Sequence, residues 1–199
     1  MKIPLMTALF AVVCLSLGAG STSAIAGPSA HSNCGKSGAE HWSDMRSTLV
    51  GRWGITHHAG YALAGSMVIP FPADGQADRV TIALIGNVLE VSHPEMQAPM
   101  VLRLADEPAW TMHTDTPGIP RPGLTLSDAE LMVGCDQMDL PRVIGTTSAT
   151  VDGTRMDFVN RLIFLSDDLL YGVMEMTTVA HGTPVIAMRT VSLWREGKS

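Results

Sequence analysis

Basic residues are scarce in this 199-residue chain. Thirteen Lys and Arg stand against nineteen Asp and Glu, for a net charge of −6 at pH 7. The few cations form no patch, which argues against nucleic acid and anionic membrane surfaces as partners. Long apolar runs are scarce too. The one candidate, LMTALFAVVCLSLGAG at 5–20, is broken by Gly18 and Gly20 and falls short of the roughly 20 apolar residues that a spanning helix needs. Internal repeats, low-complexity tracts and a second compositional regime are absent, so a single domain is expected over residues 37–196. Catalytic signatures are missing as well. The sequence contains no Gly-x-Ser-x-Gly and no His-Glu-x-x-His. CGKS at 34–37 has the ending of a phosphate loop, but Ala30 stands where its first glycine belongs. Asp167-Asp168 sits in a turn pattern between strands and is not read as a catalytic carboxylate pair. No catalytic residue and no cofactor is expected.

What is present starts at the N-terminus. Lys2 is the sole charge before a short apolar centre, and Ala24-Ile25-Ala26 forms an A-x-A cleavage pattern. Residues 1–26 are therefore expected to be a secretory signal peptide, which implies a periplasmic or secreted protein with no stable membrane insertion after cleavage. Residues 27–36 are small and polar, as in a flexible leader. Of the three cysteines, Cys14 falls in the signal, leaving Cys34 and Cys135. An even pair in an oxidising compartment reads as one disulfide rather than as two free thiols.

The remaining pattern is one of strands. Ser37 with Glu40 marks a capping box and a helix over 38–47. From residue 48 the period changes to two, so that Leu49, Trp53, Ile55 and His57 share a face, while Tyr61, Leu63 and Met67 continue the series. Gly86-Asn87 and Asp152-Gly153 are hairpin turns. AWTMHT at 109–114 reads as a strand or a strand's continuation. The Pro-rich stretch 114–126 is a loop, followed by a second capping box, Ser127 with Glu130, and a helix over 128–133. In the last third, Met156, Phe158, Asn160, Leu162 and Phe164 face one way, followed by LLYGVMEMTTV and VIAMRTVSLW. About eight or nine hairpin-linked antiparallel strands with two short helices predict an all-β, up-and-down barrel, because closure removes exposed edges.

A short helix, then Gly51-x-Trp53 opening an antiparallel meander, resembles the lipocalin and wider calycin group. The resemblance implies that Trp53 plugs one end of the barrel and that a basic residue of the last strand, Arg189 or Arg195, packs across it. The insertion and helix over 114–134 have no counterpart in that group.

The expected interior is lined by Trp53, Ile55, His57, Tyr61, Leu63, Met67, Phe158, Asn160, Leu162, Phe164, Met174 and Met176. Methionine, with thirteen copies, is the unusual component, and flexible thioethers suit an adaptable apolar pocket. Asn160, His57 and Tyr61 would orient the polar end of a ligand. The function this implies is non-catalytic binding of a small apolar or amphipathic molecule. Three alternatives stand beside it. A filled barrel could bind another exported protein through its 114–141 loop. A barrel enzyme would need convergent titratable groups. His93, Met96 and Met100 carry the imidazole and thioether donors that suit Cu(I).

Overall fold

A computed structural model describes residues 33–74, 77–108, 119 and 124–197. The expected signal peptide, most of the Pro-rich stretch and the strand expected at 109–114 lie outside them. The helix α1 (Ala39–Leu49) leads into β1 (Gly51–Ala64), β2 (Met67–Phe71), β3 (Ala77–Ile85), β4 (Val88–Ser92) and β5 (Met100–Leu104). Then come α2 (Leu126–Val133) and a 3₁₀ turn at Gln137–Asp139, followed by β6 (Arg142–Val151), β7 (Thr154–Ser166), β8 (Leu169–Ala180) and β9 (Thr183–Arg195). All pairings are antiparallel, and β9 pairs back onto β1, closing an eight-stranded barrel from β1 and β3–β9. The ninth strand, β2, pairs with β1 at 60–64, beyond the stretch 51–56 that pairs with β3. Pro70 lies on β2, where the missing N–H helps to blunt an edge. The all-β barrel with two short helices is as the strand pattern predicts.

One end of the barrel is closed by Trp53. Its side chain is fully buried, and its indole N–H donates to Leu49 O at 2.8 Å. The Arg195 guanidinium stacks over the ring at 4.5 Å. It also donates to Val50 O at 3.1 Å, to Thr48 O, and to Asp168 Oδ1 at 3.0 Å. The last carbonyls of α1, which have no partner within a helix, are satisfied by these two side chains. Arg195, rather than Arg189, is thus the basic residue across the tryptophan. Gly51 takes φ +144°, and a Cβ there would lie 3.0 Å from Arg195 Nη1. The glycine of Gly51-x-Trp53 is required both by its backbone and by the arginine beside it.

The inner core follows the alternation: Ile82, Leu89, Leu102, Val143, Leu162, Phe164, Leu170, Val191 and Leu193 pack with Leu49 and Trp53. Three expectations along β1 and β2 are corrected. His57 pairs with Val191 but Gly60 pairs with Arg189, so β1 carries one extra residue between them. Such a bulge reverses the parity of everything after it. Tyr61 and Leu63 therefore lie on the outer wall, not inside. Met67 follows on the projecting β2 and is 61% exposed.

The outer wall supports a second core. Tyr61, Ile163, Leu165, Tyr171, Val173 and Met188 pack under Ala129 of α2 and Leu140. Arg142, itself buried, donates to Gln137 O at 2.8 Å, while Tyr171 Oη donates to Leu124 O at 2.9 Å. Cys34 and Cys135 are disulfide-bonded with Cα atoms 6.1 Å apart, tying Asn33–Lys36 to the end of α2. Both capping boxes are corrected. The N-cap of α1 is Gly38, one residue after the expected serine, and having no side chain it makes no side-chain cap. The N-cap of α2 is Thr125, two residues before the expected serine. It bonds Asp128 reciprocally, Asp128 N–H to Thr125 Oγ1 at 3.1 Å and Thr125 N–H to Asp128 Oδ2 at 2.9 Å.

Two outcomes follow for stability. Replacing Arg195 by Met is expected to cost about 2–4 kcal/mol in urea unfolding, since charged hydrogen bonds and a ring contact vanish together. Arg195→Lys is expected to recover little of it, because an ammonium lacks the planar fork. Reducing the disulfide is expected to lower stability by about 2–4 kcal/mol. The far-UV signal of the sheet should survive reduction, because the bridge lies outside the inner core.

Candidate functional site

Away from the Trp53 end, the inner face is not filled. A cavity of about 390 Å³ lies between the strands. Ile55 and His57 of β1, Val80 of β3 and Val91 of β4 form one wall. Met100 and Leu102 of β5, Phe158, Asn160 and Leu162 of β7, Met174 of β8 and Leu193 of β9 form the rest. The rim consists of Asp78, the loop at 93–98 and the end of β6. Glu95, Gln97, Ser148 and Val151 there are exposed, so the cavity opens at this end.

The rim loop is held by hydrogen bonds that replace a strand pairing. Gln97 Nε2 donates to Thr150 O at 2.7 Å, and Thr150 N–H donates to Gln97 Oε1 at 2.9 Å. Thr147 Oγ1 donates to Ala98 O at 3.3 Å. Within the loop, Glu95 N–H donates to His93 Nδ1 at 3.2 Å.

Deeper in, Gly145 makes room. A Cβ there would lie 2.6 Å from both Met100 Sδ and Leu102 Cδ2. Met100 can therefore lie against Asn160, whose Nδ2 donates to Met100 Sδ at 3.1 Å. Thioether sulfur is a weak acceptor. Asn160 Oδ1 is buried with no partner among the described residues, and an unmatched buried polar atom is costly.

His57 is the cavity's titratable wall residue. Its Nδ1 lies 3.6 Å from Asp78 Oδ2 and 3.7 Å from Asp74 Oδ2, too far for a hydrogen bond. Arg189 occupies Asp74 at 2.8 Å, donates to His58 O at 3.0 Å and Pro72 O at 3.3 Å, and stacks over Phe71 at 5.1 Å. Burial first, then the Arg189 charge, hold the His57 pKa below the ordinary 6.5, against the pull of Asp78 and Asp74. His58 points outward, its Nε2 2.9 Å from Ser192 Oγ. Burial and Arg189 lower its pKa as well.

Of the residues expected inside, His57, Phe158, Asn160 and Met174 line the cavity, with Ile55 and Leu162. Trp53 and Phe164 are not in its lining; they belong to the packed core toward the closed end. Met176, beside Phe158 in the sheet, is half-buried and outside the lining. Tyr61 lies in the outer cluster, its Oη donating to Met188 Sδ at 3.2 Å. His93, Met96 and Met100 come together at the same cavity. Among the described residues there is no cluster of three or more His, Cys, Asp or Glu able to hold a metal. The sequence pattern missed Asp78 and Glu95: Asp78 continues the inward alternation of Val80 and Ile82 on β3, whereas Glu95 lies in the rim loop and carries no periodic signal. No family model matches this chain, and no curated protein matches it.

The lowered His57 pKa fixes the sign of one pH effect. An imidazole with a folded-state pKa below its unfolded value binds fewer protons when folded. Its contribution to stability is full above 6.5 and is lost as pH falls through the folded-state value. An NMR titration is expected to place His57 below 6.5. His57→Gln is expected to flatten the acid side of a plot of urea midpoint against pH.

Proposed function

We propose that this protein is an exported, non-catalytic, lipocalin-like carrier that binds a small apolar or amphipathic molecule in its barrel. The observation that carries this reading is the cavity: about 390 Å³, apolar-walled, separated from the Trp53 end by packed core and open at the opposite rim. Ligand pockets of roughly 300–1,000 Å³ with apolar walls and a few polar groups fit this description. Kinship with the lipocalin and calycin group is supported by the eight-stranded closure, Gly51-x-Trp53 and the arginine stacked on the tryptophan. Export is supported by the N-terminal pattern and by the disulfide. No helix among the described residues is long and apolar enough to cross a membrane. The outer wall carries the ion pairs Arg155–Asp157 and Arg161–Glu175, where a lipid-facing wall would be an apolar band.

The uncharged dye Nile red tests the cavity directly. Binding is expected to raise and blue-shift its fluorescence. Met174→Trp, which fills the cavity, is expected to weaken binding about tenfold or more while the circular dichroism stays native-like. Ala149→Trp at the rim gives a second obstruction should the first variant misfold. Equal binding by both obstructed variants would overturn the reading. A protein-binding role has one observation of its own: α2 exposes Leu131 at 84% and Met132 at 61%. Native mass spectrometry of protein taken from its own compartment separates the two, by a small molecule or a protein as the companion.

A further inference from the structure

We infer that the cavity is built for a cationic amphiphile, an apolar tail inside with an ammonium head at the rim between Asp78 and Glu95. This rests on the carrier reading and names the class of ligand.

The argument begins with fixed charge. Asp78 and Glu95 line the cavity, and no Lys or Arg does so. Neither carboxylate is paired with a Lys or Arg among the described residues. The neighbouring cation is already committed: Arg189 is held by the Asp74 carboxylate, two backbone carbonyls and the Phe71 ring. The fixed charge of the lining is therefore negative, with no Lys or Arg ion pair to either carboxylate among the described residues.

The second observation lies deeper and is independent of the rim. Asn160 lines the cavity and is 9% exposed; its Oδ1 lacks a donor among the described residues, and one N–H of its Nδ2 goes to Met100. His93 Nδ1 already receives the Glu95 N–H. The lining's fixed charge is thus negative, at Asp78 and Glu95, and its unmatched buried acceptor is Asn160 Oδ1, while its spare donors are the ring N–H groups of His57 and His93 and the second amide N–H of Asn160. A ligand whose head carries positive charge matches the rim. A carboxylate head would meet two like charges beside apolar walls, where water screens them poorly. The tail has no such requirement, since Val80, Leu102, Phe158, Leu162 and Met174 offer only apolar surface.

Three ligands with one tail make the test: decylammonium, decanol and decanoate, titrated calorimetrically into the full-length protein at pH 7 and low ionic strength. Decylammonium is expected to bind about tenfold or more tighter than decanoate, with decanol between them. In an Asp78→Asn/Glu95→Gln double variant the two charged ligands are expected to fall within about threefold of each other. Raising salt to about 0.5 M on the unaltered protein is expected to weaken decylammonium and leave decanol little changed, a readout that needs no variant. Decanoate binding as tightly as decylammonium overturns the inference while leaving the carrier reading intact. So does a preference insensitive to salt. Failure of all three ligands, decanol included, removes the carrier reading and the inference with it.

Discussion

The structure depends on the contact between Arg195 and Trp53. Arg195 is the last residue of β9, and Trp53 is the third of β1, so the contact joins the two strands whose pairing closes the barrel. It also reaches the end of α1 and the β7–β8 turn through Thr48, Val50 and Asp168. A planar guanidinium serves all of these at once because its donors diverge in one plane while its face lies on the indole. The closed end is thereby defined by one cation and one ring. The inner core needs no further polar group there, and the packing can remain dense from Trp53 up to Leu162 and Leu193.

From that fixed end, the alternation of the strands decides what faces inward. This much was legible in the sequence, because period-two patterning survives wherever the strands run without interruption. Phe158, Asn160, Leu162 and Phe164 on β7 follow it, and so does Met174 on β8. Parity fails at the bulge between His57 and Gly60. No local signal announces a single extra residue, since HHAGYA alternates equally well on either side of it. Tyr61 therefore faces the outer cluster, and the whole second core beneath α2 goes unread. That core depends on contacts between distant segments, such as Tyr171 with Leu124 and Arg142 with Gln137, which no short window of sequence contains. The two capping boxes show the same limit at short range. Serine and threonine compete for one cap, and the choice falls to Thr125 because Asp128 can return its bond.

The cavity exists because the inner face changes character along the barrel. Near Trp53 the facing positions hold large side chains such as Phe164, Leu170 and Ile82. Toward the rim they become Gly145, Thr147 and Ala149 on β6, small enough to leave space. Gln97 then fastens the β4–β5 loop to Thr150 by two hydrogen bonds, so the opening is shaped without another strand. A filled barrel would be the more stable arrangement for an apolar interior, since empty volume forfeits packing contacts. An unpaired Asn160 oxygen adds to that cost. Both are tolerated here in the same place, and strained or unsatisfied features concentrate where proteins work.

Discrimination in such a pocket cannot come from its walls. One methylene more or less in an apolar site alters binding by only about 1–3 kcal/mol. Thioethers such as Met100 and Met174 soften even that distinction, because they rearrange around different shapes. Selection must therefore rest on the few groups that impose a sign or a direction. At the rim those are carboxylates that no Lys or Arg pairs with among the described residues, Arg189 being held by Asp74 and the backbone of β1. Deeper in, it is one amide oxygen. His57 disturbs this balance little, since burial and then the Arg189 charge lower its pKa and so favour the uncharged ring. In the proposed carrier, an adaptable interior beneath a rim of fixed sign would separate affinity from selectivity: tail length would set how tightly a molecule is held, and the head which molecules are admitted.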